Sequence, residues 1–85
     1  MEKDFFYNER FFVLRTMFEH EIIVENEKYI GLSQIDISKI TNIGLNKVNS
    51  IIKELKQNNY IENSKYKPQK LSITNKGYNI IKELK

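Results

Sequence analysis

The 85-residue sequence contains no cysteine, so neither a disulfide nor a thiolate metal site supplements its core. It has one proline, Pro68, and three glycines, Gly31, Gly44 and Gly77, and none of them marks a linker. Long hydrophobic runs are missing too. The longest uninterrupted apolar stretch is Phe11-Phe12-Val13-Leu14, far short of the ~20 residues of a membrane span and too short for a secretory core. A cytoplasmic protein is the expectation. His20 is the only histidine and has no ligand-spaced companion, so no metal and no cofactor are expected. Glu19, Glu21, Glu25 and Glu27 share one stretch, but no nucleophile or phosphate-cradling glycine loop lies near them. They read as a solvated acidic surface, or as a docking face for a basic partner, and the chain is not expected to be an enzyme.

What the sequence does have is isoleucine, asparagine and lysine, together 35 of its residues. An AT-rich genome favours their codons, so the placement of the lysines says more than their number. That placement is uneven. The net charge of +3 divides into −4 over residues 1–38 and +7 over residues 39–85, where ten lysines face three glutamates. Such a division suggests an acidic region beside a basic binding face. A chain of this length makes one domain, residues 1–85, and buries only about 60–65% of its unfolded surface.

The pattern of apolar residues predicts four helices. The first spans roughly residues 8–21, with Phe11, Leu14, Phe18 and Ile22 as one stripe and Phe12, Val13 and Met17 widening it. So much apolar surface on one short helix either wraps the core or meets a second copy. Phe5, Phe6, Phe12, Val13 and Met17 are the candidate dimer interface. "ENEKYIG" reads as an irregular or short-strand connection. At "LSQIDISKI", Ser33 with Asp36 forms a capping-box-like start, and Ile37 and Ile40 are expected to face inward. Asn42-Ile43-Gly44 breaks that helix, because asparagine and glycine tolerate positive φ. A third helix follows over about 45–58, with Leu45, Val48, Ile52 and Leu55 as its apolar stripe, and stops at Asn58-Asn59. "YIEN" and "KLSIT" read as the strands of a hairpin over about 60–74, and Thr74 can cap a last helix buried through Tyr78, Ile81 and Leu84.

The expected class is therefore mainly α with a small β-hairpin, in the order helix, helix, tight turn, helix, hairpin, helix. Two helices joined by a three-residue turn make a helix-turn-helix, and the lysine-bearing hairpin behind them is a wing.

Residues 32–61 resemble, without a gap, the winged helix-turn-helix core of the MarR type. "LSITNKG" is similar to that family's LT-x-x-G at the second wing strand and final helix. Departures are visible. Ser38 stands where the family has a small alanine, and Asn42 and Asn59 stand where it has glycines. Pro68-Gln69 replaces the Asp-Arg pair at the wing tip, and the long terminal dimerisation helices have no counterpart. The opening "EKDFFY", the short first helix and the minimal core look like TubR, the DNA-binding adaptor of plasmid and phage partition systems. That resemblance implies a homodimer on repeated centromere sites, repression of its own operon and a tubulin-like GTPase as partner. The MarR resemblance implies a transcriptional regulator.

A winged helix sends the N-terminal half of its third helix into the major groove, where each base pair presents a distinct donor and acceptor pattern. Asn46 and Asn49 suit adenine, Lys47 guanine or phosphate, Ser50 either, and Lys53 a phosphate. At the wing, Lys65, Tyr66, Lys67 and Lys70 suit the backbone or a narrow A·T minor groove. Ser33 and Gln34 can bond phosphate from a helix N-terminus. The plain alternatives are a solvated helix face, a soluble turn and simple capping. Double-stranded DNA, AT-rich and with repeated sites, is thus the expected partner. A protein-interaction winged helix, docking through its Phe-rich helix or acidic stretch, is the reading from another class.

Overall fold

The computed structural model describes residues 8–84. They form α1 (Glu9–Glu19), β1 (Glu21–Val24), β2 (Glu27–Ile30), α2 (Gln34–Thr41), α3 (Leu45–Gln57), β3 (Ile61–Asn63), β4 (Leu71–Ile73) and α4 (Asn75–Leu84). The chain is mostly helical, with small antiparallel hairpins β1–β2 and β3–β4 among the described residues.

Asn8 caps α1 by accepting a bond from the Arg10 N–H at 2.9 Å. The helix is two residues shorter than its apolar stripe suggests. Ile22, Ile23 and Val24 are β-branched in succession, which favours a strand, and Glu25 and Asn26 both adopt positive φ in a two-residue turn. "ENEKYIG" is thus half of a regular hairpin, and Ile22 belongs to a strand instead of a helical face. Val13 and Met17 correct a second expectation. Both are wholly buried against α2, α3 and α4 in the core of one protomer, so neither is available to a second copy. Phe11 and Phe18 pack on the same core at partial exposure, while Phe12 stands 56% exposed. Phe5 and Phe6 lie outside the described residues.

Ser33 and Asp36 close a full capping box at the start of α2: the Asp36 N–H donates to Ser33 Oγ at 3.1 Å and the Ser33 N–H to Asp36 Oδ2 at 3.0 Å. Asn42 ends α2 in the left-handed region, φ 60°. Gly44 uses none of its freedom: its φ is −56°, and a Cβ there would meet nothing. The Ser38 hydroxyl donates to the Ile43 carbonyl at 2.5 Å, which explains a polar residue where an alanine would leave that turn carbonyl bare. Ile37 and Ile43 are buried, but Ile40 is half exposed on the outer side of α2.

α3 inserts Val48, Ile51, Ile52 and Leu55 into the core, while Leu45 at its first turn is partly exposed. Its end is a Schellman motif. Asn59 takes φ 65°, the Asn59 N–H reaches the Lys56 carbonyl at 3.1 Å and the Tyr60 N–H reaches the Leu55 carbonyl at 3.0 Å. Thr74 then ties α4 to that motif: its hydroxyl donates to the Asn59 carbonyl at 2.6 Å and accepts from the Gly77 N–H at 3.1 Å. α4 buries Gly77, Ile80 and Ile81, with Tyr78 and Leu84 half exposed at its flanks. β2 lies alongside β4, so the two hairpins neighbour each other beside the helices.

Candidate nucleic-acid interface

The direction of the α3 core residues fixes the direction of its polar ones. At about 100° per residue, Asn46, Ser50 and Lys53 fall on the line opposite the core, with Asn49 on one flank and Lys47 on the other. All five are exposed.

The two flanks meet different neighbours. On one, Lys47 Nζ lies 2.5 Å from Glu9 Oε1, and Arg10 Nη2 lies 2.5 Å from Glu54 Oε2, so two ion pairs of opposite polarity join α1 to α3. Lys47 is therefore already engaged, and Ser50 borders the same recess between the two helices. The flank of Asn49 continues to Lys56, seven residues later. Lys56 lines a groove of about 480 Å³ with Ser33 and Gln34 from the start of α2, Asn63 from β3, and Pro68, Gln69 and Lys70 from the β3–β4 loop. Its floor is apolar, made by Ile30, Leu32, Ile37, Ile52 and Leu71. Lys56, Asn63 and Gln69 were not among the sequence candidates, because nothing in the linear order says that the end of α3 faces the loop.

The start of α2 already holds an anion of its own. Bonds from the Ser33 backbone, then from its side chain, hold the Asp36 carboxyl below the ordinary aspartate value; desolvation opposes them, and Lys39 and Lys70 contribute least. A phosphate at Ser33 and Gln34 would meet this carboxylate, whose charge opposes it.

The β3–β4 loop is ordered from its root. Ser64 is buried, and its Oγ accepts from the N–H groups of Tyr66 at 3.2 Å and Lys67 at 3.1 Å, while the Ser64 N–H donates to the Lys70 carbonyl at 2.8 Å. This leaves Lys65 and Tyr66 exposed. Lys67 folds back: its Nζ sits 5.7 Å from the centre of the Tyr29 ring on β2, a cation–π distance. The three lysines expected to bracket the tip thus diverge, with Lys65 outward, Lys67 over Tyr29 and Lys70 half-buried in the groove.

Four further acidic residues lie along the end of α1 and the β1–β2 hairpin. Glu19 pairs with Arg15, Glu21 accepts from the Tyr78 hydroxyl, and Glu25 and Glu27 stand exposed at the β1–β2 turn. His20 Nδ1 contacts the Thr16 carbonyl at 2.9 Å. No described helix is long and apolar enough to cross a membrane. Comparison with protein-family models, with characterised proteins and with solved structures gives no match.

Proposed function

We propose that this chain binds double-stranded DNA sequence-specifically, as a homodimer without catalysis. In this reading α2, Asn42–Gly44 and α3 are a helix-turn-helix, and the β3–β4 loop is its wing. The observation that carries the reading is the make-up of the outer face of α3: two amides, a hydroxyl and a lysine, all exposed, at the end that follows the tight turn. Asparagine bonds bidentately to adenine N6 and N7, so Asn46 and Asn49 are the base-reading residues. Ser50 and Lys53 flank them, and Lys53 supplies phosphate contact. Lys56 and Lys70 extend the positive strip into the groove, and Lys65 stands exposed on the loop beyond it, in the half of the chain that carries the +7 balance.

Within this reading, the narrower role is that of a partition adaptor of the TubR kind, on repeated AT-rich sites beside a gene for a tubulin-like GTPase. It rests on the resemblance at "EKDFFY" and on the short α1. A MarR-like regulator would use the same surface on one or two operators. Clustered repeats and a tubulin-like GTPase gene beside this one decide for the adaptor; an isolated operator decides for the regulator.

The deciding experiment is selection of bound duplexes from a random library, followed by titration of the selected site at several salt concentrations. Affinity should fall with a log-log slope of about −0.9 per phosphate neutralised. Salt-insensitive binding, or enrichment of no sequence, removes the reading.

A further inference from the structure

We propose that the β1 edge is where a second copy of this chain docks: two protomers join β1 to β1 antiparallel, about a two-fold axis at Ile22. This names the surface for the homodimer proposed above and rests on that reading only in expecting two copies.

β1 pairs with β2 on one side and has no strand on the other among the described residues. The hairpin register decides which backbone groups face that open side. Val24 and Glu27 flank the two-residue turn, with both turn residues at positive φ, so they form its hydrogen-bonded closing pair. Antiparallel pairs alternate, so Ile22 and Tyr29 bond in the same way, while Glu21 and Ile23 aim their N–H and C=O groups outward. An open edge bearing exposed apolar side chains is a pairing template unless charge or proline blunts it. Here Ile22 is 41% exposed and Ile23 63%, and β1 contains neither lysine nor proline; its one charge is Glu21, at its first position.

A second copy fits this edge because the strand complements itself in one register. Pairing through the outward residues leaves three symmetric choices. An axis at Glu21 sets Glu21 against its own copy. An axis at Ile23 sets Glu21 against Glu25 of the other strand. An axis at Ile22 sets each Glu21 against an Ile23, forms both hydrogen-bonded pairs and brings the two Ile22 side chains together. Directly opposed like charges destabilise a sheet, so the Ile22 register is selected.

The test uses the full chain without DNA, so that its result is independent of DNA recognition. The chain has no cysteine, which makes single-cysteine variants unambiguous. In the Ile22 register the two residues 22 form a non-hydrogen-bonded pair with Cα atoms about 4.5 Å apart, within disulfide reach. Ile22→Cys should cross-link to a dimer under mild oxidation, and Phe12→Cys, on α1, should not. Sedimentation equilibrium supplies the second arm. Ile23→Lys places an ammonium beside the opposing Glu21 and should keep the dimer; it also faces Lys28 of its own hairpin, so circular dichroism checks the fold of this variant too. Ile23→Glu places a carboxylate there and should weaken it about tenfold. Position 23 lies opposite Lys28 within the protomer, so the glutamate suits the monomer fold and misfolding is not its expected effect; circular dichroism checks this. A chain that stays monomeric at its highest soluble concentration overturns the proposal. So do equal effects of the two Ile23 variants, or cross-linking through Phe12 as readily as through Ile22.

Discussion

Arg10 grips Glu54 with two nitrogens: Nε lies 3.1 Å and Nη2 2.5 Å from the same carboxylate oxygen, across 44 residues of sequence. Beside it Glu9 holds Lys47. The pairs are partly solvated, so their value is in orientation more than in bulk stability. They add to the core packing that sets how α3 lies against α1, and with it the direction in which Asn46, Ser50 and Lys53 face. Glu54→Gln should cost about 0.5–1 kcal/mol in urea unfolding, and less in high salt. A cost that does not change with salt would mean that packing, not charge, joins the helices here.

Gly77 is the position where the chain cannot accept a side chain. A Cβ there would lie 2.3 Å from the Tyr60 carbonyl oxygen and 2.6 Å from Ile73 Cγ2. That oxygen accepts from the Thr74 N–H at 3.1 Å and cannot move without breaking this bond, so Gly77→Ala should destabilise by about 1–3 kcal/mol. At Gly31 the obstacle is only the end of the flexible Ile22 side chain. Gly31→Ala should therefore shift the thermal midpoint less than Gly77→Ala, and the reverse order would contradict the packing described.

Asn42 and Asn59 hold left-handed backbone at the two helix ends. Replacement of either by glycine should be neutral or mildly stabilising. A β-branched residue such as valine should cost about 1–2 kcal/mol, read from chemical denaturation. Equal effects of glycine and valine would show that neither conformation is required.

Tyr78 gives the stability a dependence on pH. Desolvation, and then its bond and charge interaction with Glu21, push its hydroxyl above the ordinary tyrosine value of 10.0. The folded state thus favours the protonated phenol more strongly than the unfolded chain does. That contribution is fully present below about pH 10 and fades as pH rises from there towards the higher folded value. Tyr78→Phe should flatten the decline of the thermal midpoint above about pH 10, in melts recorded from pH 8 upward. An unchanged alkaline limb would dissociate Tyr78 from it.

At the proposed DNA interface, Asn49→Ala should weaken binding to the selected site by about 1–3 kcal/mol and relax the preference at one base pair. Lys53→Ala should weaken all duplexes alike and lower the salt slope by about one unit. Lys67→Ala should matter less than Lys65→Ala, because Lys67 is folded over Tyr29. These differences are read by fluorescence anisotropy on the selected and a scrambled duplex. Uniform losses for Asn49 and Lys53 would remove the assignment of Asn49 to base reading.

By itself the sequence determined what is local. Ser33 with Asp36, Asn42, Asn59 and Thr74 each announce a helix end, because a cap needs only a side chain and backbone a few residues apart. The apolar spacing of α3 likewise carried its buried side, and so the exposure of Asn46, Asn49, Ser50 and Lys53. Tertiary structure decided everything that depends on which surfaces meet. It enclosed Val13 and Met17 within one protomer and turned Ile22 from a helical stripe into an edge strand. It also occupied Lys47 with Glu9, folded Lys67 back over Tyr29, and brought Lys56 and Gln69 to one groove. The reason is that spacing along one element gives the direction of a side chain relative to that element alone. What lies in that direction depends on how distant elements pack, and an apolar or charged residue finds a partner only after they do.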